Sequence, residues 1–139
     1  MEFMTHDNVR NVLKSYALTN PRLNYSQGMN FMAGFLFLQM LPENIINLKD
    51  QLSADILSQA NLQGESLAYT VMSRIITRYQ MENLFNEEVP MLKLMFYQLD
   101  RLIAINIPDL HDHFKDETIS ASLFSSSFFI TLFTSHMQS

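Results

Sequence analysis

Between Gln27 and Leu41 the chain reads QGMNFMAGFLFLQML, and from Phe31 to Leu41 only Gln39 interrupts the apolar run. A helix that is apolar on every face must be enclosed by other helices. A membrane span would need about 20 apolar residues, so this run predicts a buried central helix and no direct membrane insertion. The flanking sequence supplies its neighbours. Val9, Val12, Leu13, Tyr16 and Ala17 fall at i, i+3, i+4, i+7 and i+8, one apolar stripe of a helix. Asp7 is its expected N-cap, and Asn20-Pro21 its stop, because a residue before Pro avoids the helical region. A short loop over 19–26 leads into the apolar segment.

Later segments repeat the helical period. Ala68, Met72, Ile75 and Tyr79 share one face of a helix predicted over 65–79. Pro90 opens another, running to about Ile105, with Met91, Leu92, Met95, Phe96, Leu99, Leu102 and Ile103 on its face. A short helical piece is expected from Pro108 to near Phe114. Ser120 is the expected N-cap of a last helix carrying Leu123, Phe124, Phe128, Ile130, Leu132 and Phe133. The more polar stretch Pro42–Gln63 reads as an insertion, with Ile45, Leu48, Leu52 and Ile56 able to line a weak amphipathic helix. There is no alternating strand pattern, hairpin signal or repeat. The expected fold is all-α, with about six helices around Gln27–Leu41.

Composition narrows the functions. A chain of 139 residues, 47% hydrophobic and 17% charged, can build one core and is one domain or part of one. The absence of Cys excludes disulfides, thiolate metal sites and Cys nucleophiles. A net charge of −5 without a basic stripe argues against nucleic acid as a partner. The N-terminus lacks the basic and apolar regions of a signal peptide, so the expected location is cytoplasmic.

The densest chemical signal is the stretch Asn20 to Asn30, where a polar loop enters the apolar helix. A Gln there is held by the scaffold. Its amide both donates and accepts, so it can orient a water molecule without taking a proton. Gly28 would let another backbone approach closely. The same Gln27 can also serve merely as a cap on the buried helix. Other constellations say less. His111 and His113 are two apart and point about 200° apart on a helix, so they do not share one metal ion. Asp109, Asp112, Asp116 and Glu117 read as a solvated acidic face, Arg74 and Arg78 as surface cations. Ser125-Ser126-Ser127 has no nearby base. No P-loop pattern is present, so the chain does not bind GTP that way.

Tyr25-Ser26-Gln27-Gly28-Met29-Asn30 resembles the YxQGMN motif of TBC domains, the GTPase-activating domains for Rab GTPases. The resemblance extends from Val9 to about Thr134. The helix and Asn-Pro turn of Val9–Pro21 are similar to those before the motif, and Phe31–Gly34 to its continuation. Glu65–Tyr69 is similar to an acidic-then-aromatic helix start. Tyr79–Phe85 and Pro108–Phe114 resemble later landmarks, and Ser122–Phe133 the third motif. The resemblance implies action in trans on a Rab, in vesicle trafficking. Such a domain activates a GTPase and is not itself an enzyme. Gln27 would be the catalytic glutamine finger, positioning the attacking water. Tyr25, Gly28, Met29 and Asn30 would serve partner binding, with Tyr25 and Met29 anchoring the finger. No cofactor of its own is implied, GTP and Mg being carried by the Rab. Recruitment to endomembranes would come through the Rab partner.

The departures set an alternative. The family's arginine finger lies in an IxxDxxR motif some tens of residues before YxQGM. Met4–Arg10 resembles it, but Arg10 falls inside the pre-motif helix, too close to Tyr25. The arginine motif and the family's C-terminal helices are missing from the pattern, so residues 1–139 read as the central part of a TBC domain with an insertion at 42–63. A catalytically incomplete Rab-binding or scaffold module is the alternative. Missing neighbours also imply self-association through exposed apolar surface. Asn24 stands for a common Gly, which the turn can accept because Asn tolerates φ > 0 better than most residues. Ser127 stands for Gln and Phe128 for Trp.

Overall fold

A computed structural model describes residues 4–23, 25–47, 51–85 and 90–136. The described residues form eight α-helices and a closing 3-10 turn, Thr134–His136, with no strand. In order the helices are α1 (His6–Thr19), α2 (Met29–Met40), α3 (Glu43–Asn47), α4 (Ala54–Arg78), α5 (Glu82–Phe85), α6 (Pro90–Asn106), α7 (Pro108–Asp116) and α8 (Ala121–Ile130). The excess over six comes from α3 and α5, too short to show a period.

The core sits where α1, α2 and α4 pack together. Val12 and Tyr16 meet Met29, Met32, Ala33 and Phe37 of α2 and Ala68, Met72 and Ile76 of α4. Helix α2 is therefore central, as its composition requires. It is not enclosed all round: Phe31 is 47% exposed, and Phe35 and Leu38 are only half-buried. Its apolar face toward α1 is wider than α1 covers.

Two helix starts differ from expectation. Thr5, not Asp7, caps α1. The Thr5 hydroxyl accepts from the Asn8 N–H (3.4 Å) and Asn8 Oδ1 accepts from the Thr5 N–H (2.9 Å), a reciprocal capping box. Asp7 instead lies in the first turn, where its charge suits the helix dipole. Helix α4 starts eleven residues before Glu65, with extended Ser53 at its N-cap. Ala60 and Gly64 carry the buried face N-terminal to Ala68, and Gly64 admits Phe37, whose ring atom would lie 3.1 Å from an added Cβ. Small residues at those positions hid the stripe from a hydrophobic count. Of the four residues expected to line a weak helix in Pro42–Gln63, Ile45 sits in α3, Leu52 precedes α4, Ile56 is exposed on α4 and Leu48 lies outside the described residues.

Glu65 has its own purpose within α4. Its carboxylate accepts from Asn8 Nδ2 (2.8 Å) and from Asn11 Nδ2 (3.1 and 3.2 Å), tying the start of α1 to the middle of α4. Asn8 is 6% exposed, so its amide has little access to water. Glu65→Ala is expected to cost about 1.5–3 kcal/mol, the range for hydrogen bonds to a charged group. Urea denaturation followed by circular dichroism checks it; an unchanged midpoint would remove the clasp from the stability argument.

The second half packs more loosely. α6 contacts α7, α8 and α5, but it buries only Leu92 among the seven residues expected inside; Leu102 is 57% exposed. α7 buries none of its residues. α8 ends at Ile130, before Leu132 and Phe133, because those two residues turn to φ +51° and +63°. The Phe133 N–H then closes back on the Phe128 carbonyl at 2.8 Å.

Candidate functional site

The loop before α2 is fixed at its root by the end of α1. Asn20 donates from its backbone N–H (2.9 Å) and its side chain Nδ2 (3.1 Å) to the Tyr16 carbonyl, and the Leu23 N–H returns to the Asn20 carbonyl at 3.0 Å. The expected Asn-Pro stop therefore has a side-chain component: Asn20 satisfies a carbonyl that the helix end leaves open. Tyr69 of α4 donates to the Thr19 hydroxyl at 3.1 Å and steadies the same corner. Asn24, expected to take the place of a turn glycine, lies outside the described residues.

The turn carrying Gln27 is held on both sides. On one side the Ser26 hydroxyl donates to the Phe85 carbonyl of α5 at 2.6 Å. On the other, Gly28 adopts φ +102° against Ile130, where an added Cβ would lie 2.1 Å from Ile130 Cγ2 and 2.9 Å from its carbonyl oxygen. The close backbone approach expected at Gly28 is thus that of α8. Within the turn, the Met29 N–H reaches the Ser26 carbonyl at 3.2 Å, and the Ser26 N–H points at Met29 Sδ at 3.5 Å. Met29 is fully buried.

The five motif residues therefore divide. Gln27 and Tyr25 are exposed, Asn30 is half-buried, and the Tyr25 hydroxyl donates to Asn30 Oδ1 at 3.4 Å. Gly28 and Met29 are buried and present no surface to a partner in this structure; they hold the turn from beneath. Two residues that hold it were not legible in the sequence. Ser26 occupies the motif's variable position, and Ile130 lies about a hundred residues away in a Phe-rich stretch. Arg10 lies mid-helix in α1, about 10 Å of helix from Ala17 at 1.5 Å per residue, and pairs with Asp7 at 2.9 Å.

A polar cavity of about 630 Å³ opens beside the turn, between the end of α1, the loop and α5. Tyr16, Arg22, Ser26, Glu82 and Asn83 line it. Burial, then the charge of Glu82, then Tyr69 raise the Tyr16 hydroxyl above its ordinary value, which is about 10. All three disfavour the phenolate. The folded chain therefore holds this proton more tightly than the unfolded chain. Stability from Tyr16 is full below about pH 10 and falls as pH rises toward and through the raised value. Tyr16→Phe should flatten this alkaline loss in a series of urea midpoints above pH 9. An unchanged slope would count against it.

Among the described residues no three His, Asp or Glu side chains group as a metal site requires. His111 instead faces Asp100 of α6 at 3.6 Å from Nε2 and Asp112 at 3.8 Å from Nδ1, a contact between α7 and α6. No helix among the described residues is long and apolar enough to cross a membrane.

The all-helical scaffold thus presents Gln27 on a Tyr-Ser-Gln-Gly-Met-Asn turn braced by α5 and α8. The chain belongs to the Rab-GTPase-TBC domain family, which it matches over residues 2–139. It is 30% identical over 124 residues to the Ecotropic viral integration site 5 ortholog of Drosophila melanogaster, 89% of this chain and 12% of that protein. It is 29% identical over 127 residues to the Rab GTPase-activating protein eat-17 of Caenorhabditis elegans, 91% of this chain and 12% of that protein. It is 28% identical over 123 residues to the GTPase-activating protein GYP5 of Eremothecium gossypii, 88% of this chain and 12% of that protein. The chain thus spans about an eighth of the length of these relatives. No solved structure matches it.

Proposed function

We propose that the chain accelerates GTP hydrolysis by a Rab GTPase in trans, with Gln27 positioning the attacking water. The observation that carries this is the exposure of Gln27 on a turn whose two neighbours are each fixed, Ser26 to α5 and Gly28 to α8. A backbone braced this way loses little entropy when the side chain it carries engages a partner. Its amide oxygen accepts from water while its amide N–H donates toward a phosphoryl oxygen, so the nucleophile is aligned without proton transfer to the protein. Nucleotide and Mg belong to the Rab. Tyr25 and Asn30 form the rim that a Rab would meet first, and Gly28 and Met29 support the finger.

The test is single-turnover GTP hydrolysis on a panel of Rab proteins, with and without the chain. Acceleration of at least one Rab is expected, the arginine that completes such a site being supplied from outside the Gln27 turn. Nucleotide-independent binding with no acceleration by a folded sample would replace this reading with that of a Rab-binding module that lacks the arginine.

Leu94, Tyr97, Leu102 and Ile105 of α6 and Leu123 of α8 are all more than half exposed. Such surface favours association. The chain is expected to elute above monomer size at micromolar concentration. A sharp monomer peak with a cooperative melt would contradict this.

A further inference from the structure

The polar cavity of about 630 Å³ beside the Gln27 turn holds polar groups that the fold itself leaves unused. Several are spent. The Thr19 hydroxyl donates into the end of α1, and the Ser26 hydroxyl to the Phe85 carbonyl. Asn20 gives its side-chain N–H groups to the Tyr16 carbonyl (3.1 Å) and the Thr19 hydroxyl (3.0 Å), which leaves its Oδ1 to act as an acceptor. Tyr16, on the floor, is different. It is only 3% exposed, yet its hydroxyl makes no hydrogen bond among the described residues, so in the free chain water alone can satisfy it. The charge of Glu82, on the same cavity, acts on that hydroxyl and helps keep it a neutral phenol, able both to donate and to accept. At the mouth, Arg22 and Glu82 are exposed, and neither is in an ion pair among the described residues. The cavity therefore offers three acceptors (the Glu82 carboxylate, Asn20 Oδ1 and the Tyr16 hydroxyl) and one separate cation.

We propose that this cavity selects the Rab: it takes a basic side chain of the Rab among Glu82, Asn20 Oδ1 and the Tyr16 hydroxyl, while a neighbouring Rab carboxylate meets Arg22. This rests on the reading that the Gln27 turn faces a Rab. The cavity shares Tyr25 and Ser26 with that turn, so a body lying over Gln27 lies over the mouth as well. A cation suits the three inner groups because all of them accept and none carries positive charge. A carboxylate suits Arg22, whose guanidinium has donors only. A lone cation would be repelled by Arg22, and an acidic neighbour removes that repulsion. Six of the eleven lining residues are exposed, so a free small molecule would keep one side in water, whereas ligand sites enclose most of their ligand. Arg22 and Glu82 are thus specificity residues, and the water-positioning role stays with Gln27.

The test is single-turnover GTP hydrolysis on the Rab panel over a range of chain concentrations, which returns the maximal rate and the half-saturating concentration separately. On the Rab accelerated most, Glu82→Gln and Arg22→Gln should each raise the half-saturating concentration about ten-fold and act little on the maximal rate. The exchange Arg22→Glu with Glu82→Arg should raise it further, since both contacts become repulsions. Both side chains are exposed, so the variants should fold, and the losses should shrink in high salt, as a loss of packing would not. Unchanged half-saturation in all three variants would overturn the inference and leave Rab activation standing. A fall in the maximal rate would overturn it too, because Arg22 or Glu82 would then belong to the chemistry. Lower melting temperatures at unchanged half-saturation would give the cavity to a segment of the chain itself, against the inference. If the chain binds a Rab without accelerating it, the same variants are read by binding affinity: the activation reading falls, and the same loss of affinity sustains the cavity. A folded chain that neither binds nor accelerates any Rab overturns both.

Discussion

Gln27→Ala should lower stimulated GTP hydrolysis by about 10²–10³-fold, the usual loss when one preorganised polar contact to the reacting centre is removed. The effect should fall on the rate of the chemical step rather than on Rab affinity. Gln27 is exposed, and the rim residues Tyr25 and Asn30 remain in place. Single-turnover rates at saturating chain separate the two. Gln27→Glu is the informative companion. It keeps size and an acceptor but loses the N–H donor and adds charge beside phosphate, so it should fail as well. A variant that kept full stimulation would show that the water is aligned elsewhere, on the Rab or by another side chain.

Gly28→Ala should destabilise the fold by about 2–5 kcal/mol, combining left-handed backbone strain with overpacking. The added methyl would sit 2.1 Å from Ile130 Cγ2 and 2.9 Å from the Ile130 carbonyl oxygen. The first clash is with a side chain and the second with backbone. Ile130→Ala in the same molecule should therefore recover part of the loss and not all of it. A double-mutant cycle on urea midpoints reads the coupling directly. Additive midpoints would show that α8 does not seat on Gly28 in solution. The two substitutions are complementary: Gln27→Ala removes the exposed amide from an intact turn, and Gly28→Ala removes the turn.

Much of this architecture was legible in the residues. The apolar run from Phe31 to Leu41 demanded a central helix, and the stripes of α1 and α6 placed their helices to within a few residues. What escaped was long-range or small. The early start of α4 rests on Ala60 and Gly64, which bury a face without hydrophobic bulk. The true cap of α1 is a reciprocal pair, Thr5 with Asn8, and weighing residues one at a time favours the acidic neighbour instead. The expected inner face of α6 is mostly half-exposed, because periodicity tells which residues share a face but not what covers it. At the site, Gln27 was visible from its motif. Ser26 and Ile130 were not, since a hydroxyl's partner carbonyl and a glycine's neighbour are properties of the folded chain alone.

The seating of Gly28 on Ile130 joins two bodies of unequal cohesion. Beneath the turn lies the densely buried trio of α1, α2 and α4; above it lies α8, which belongs to the sparsely buried group with α6 and α7. Partial opening of a protein follows such seams, the less buried unit separating first. The Met29 amide, bonded to the Ser26 carbonyl at 3.2 Å, would then exchange with solvent at the rate of the α6–α8 unit, although it sits at the head of the most buried helix. The order of the Gln27 turn would be set by how firmly the distant half of the chain is docked. Anything that clamps that half would order the turn without touching it.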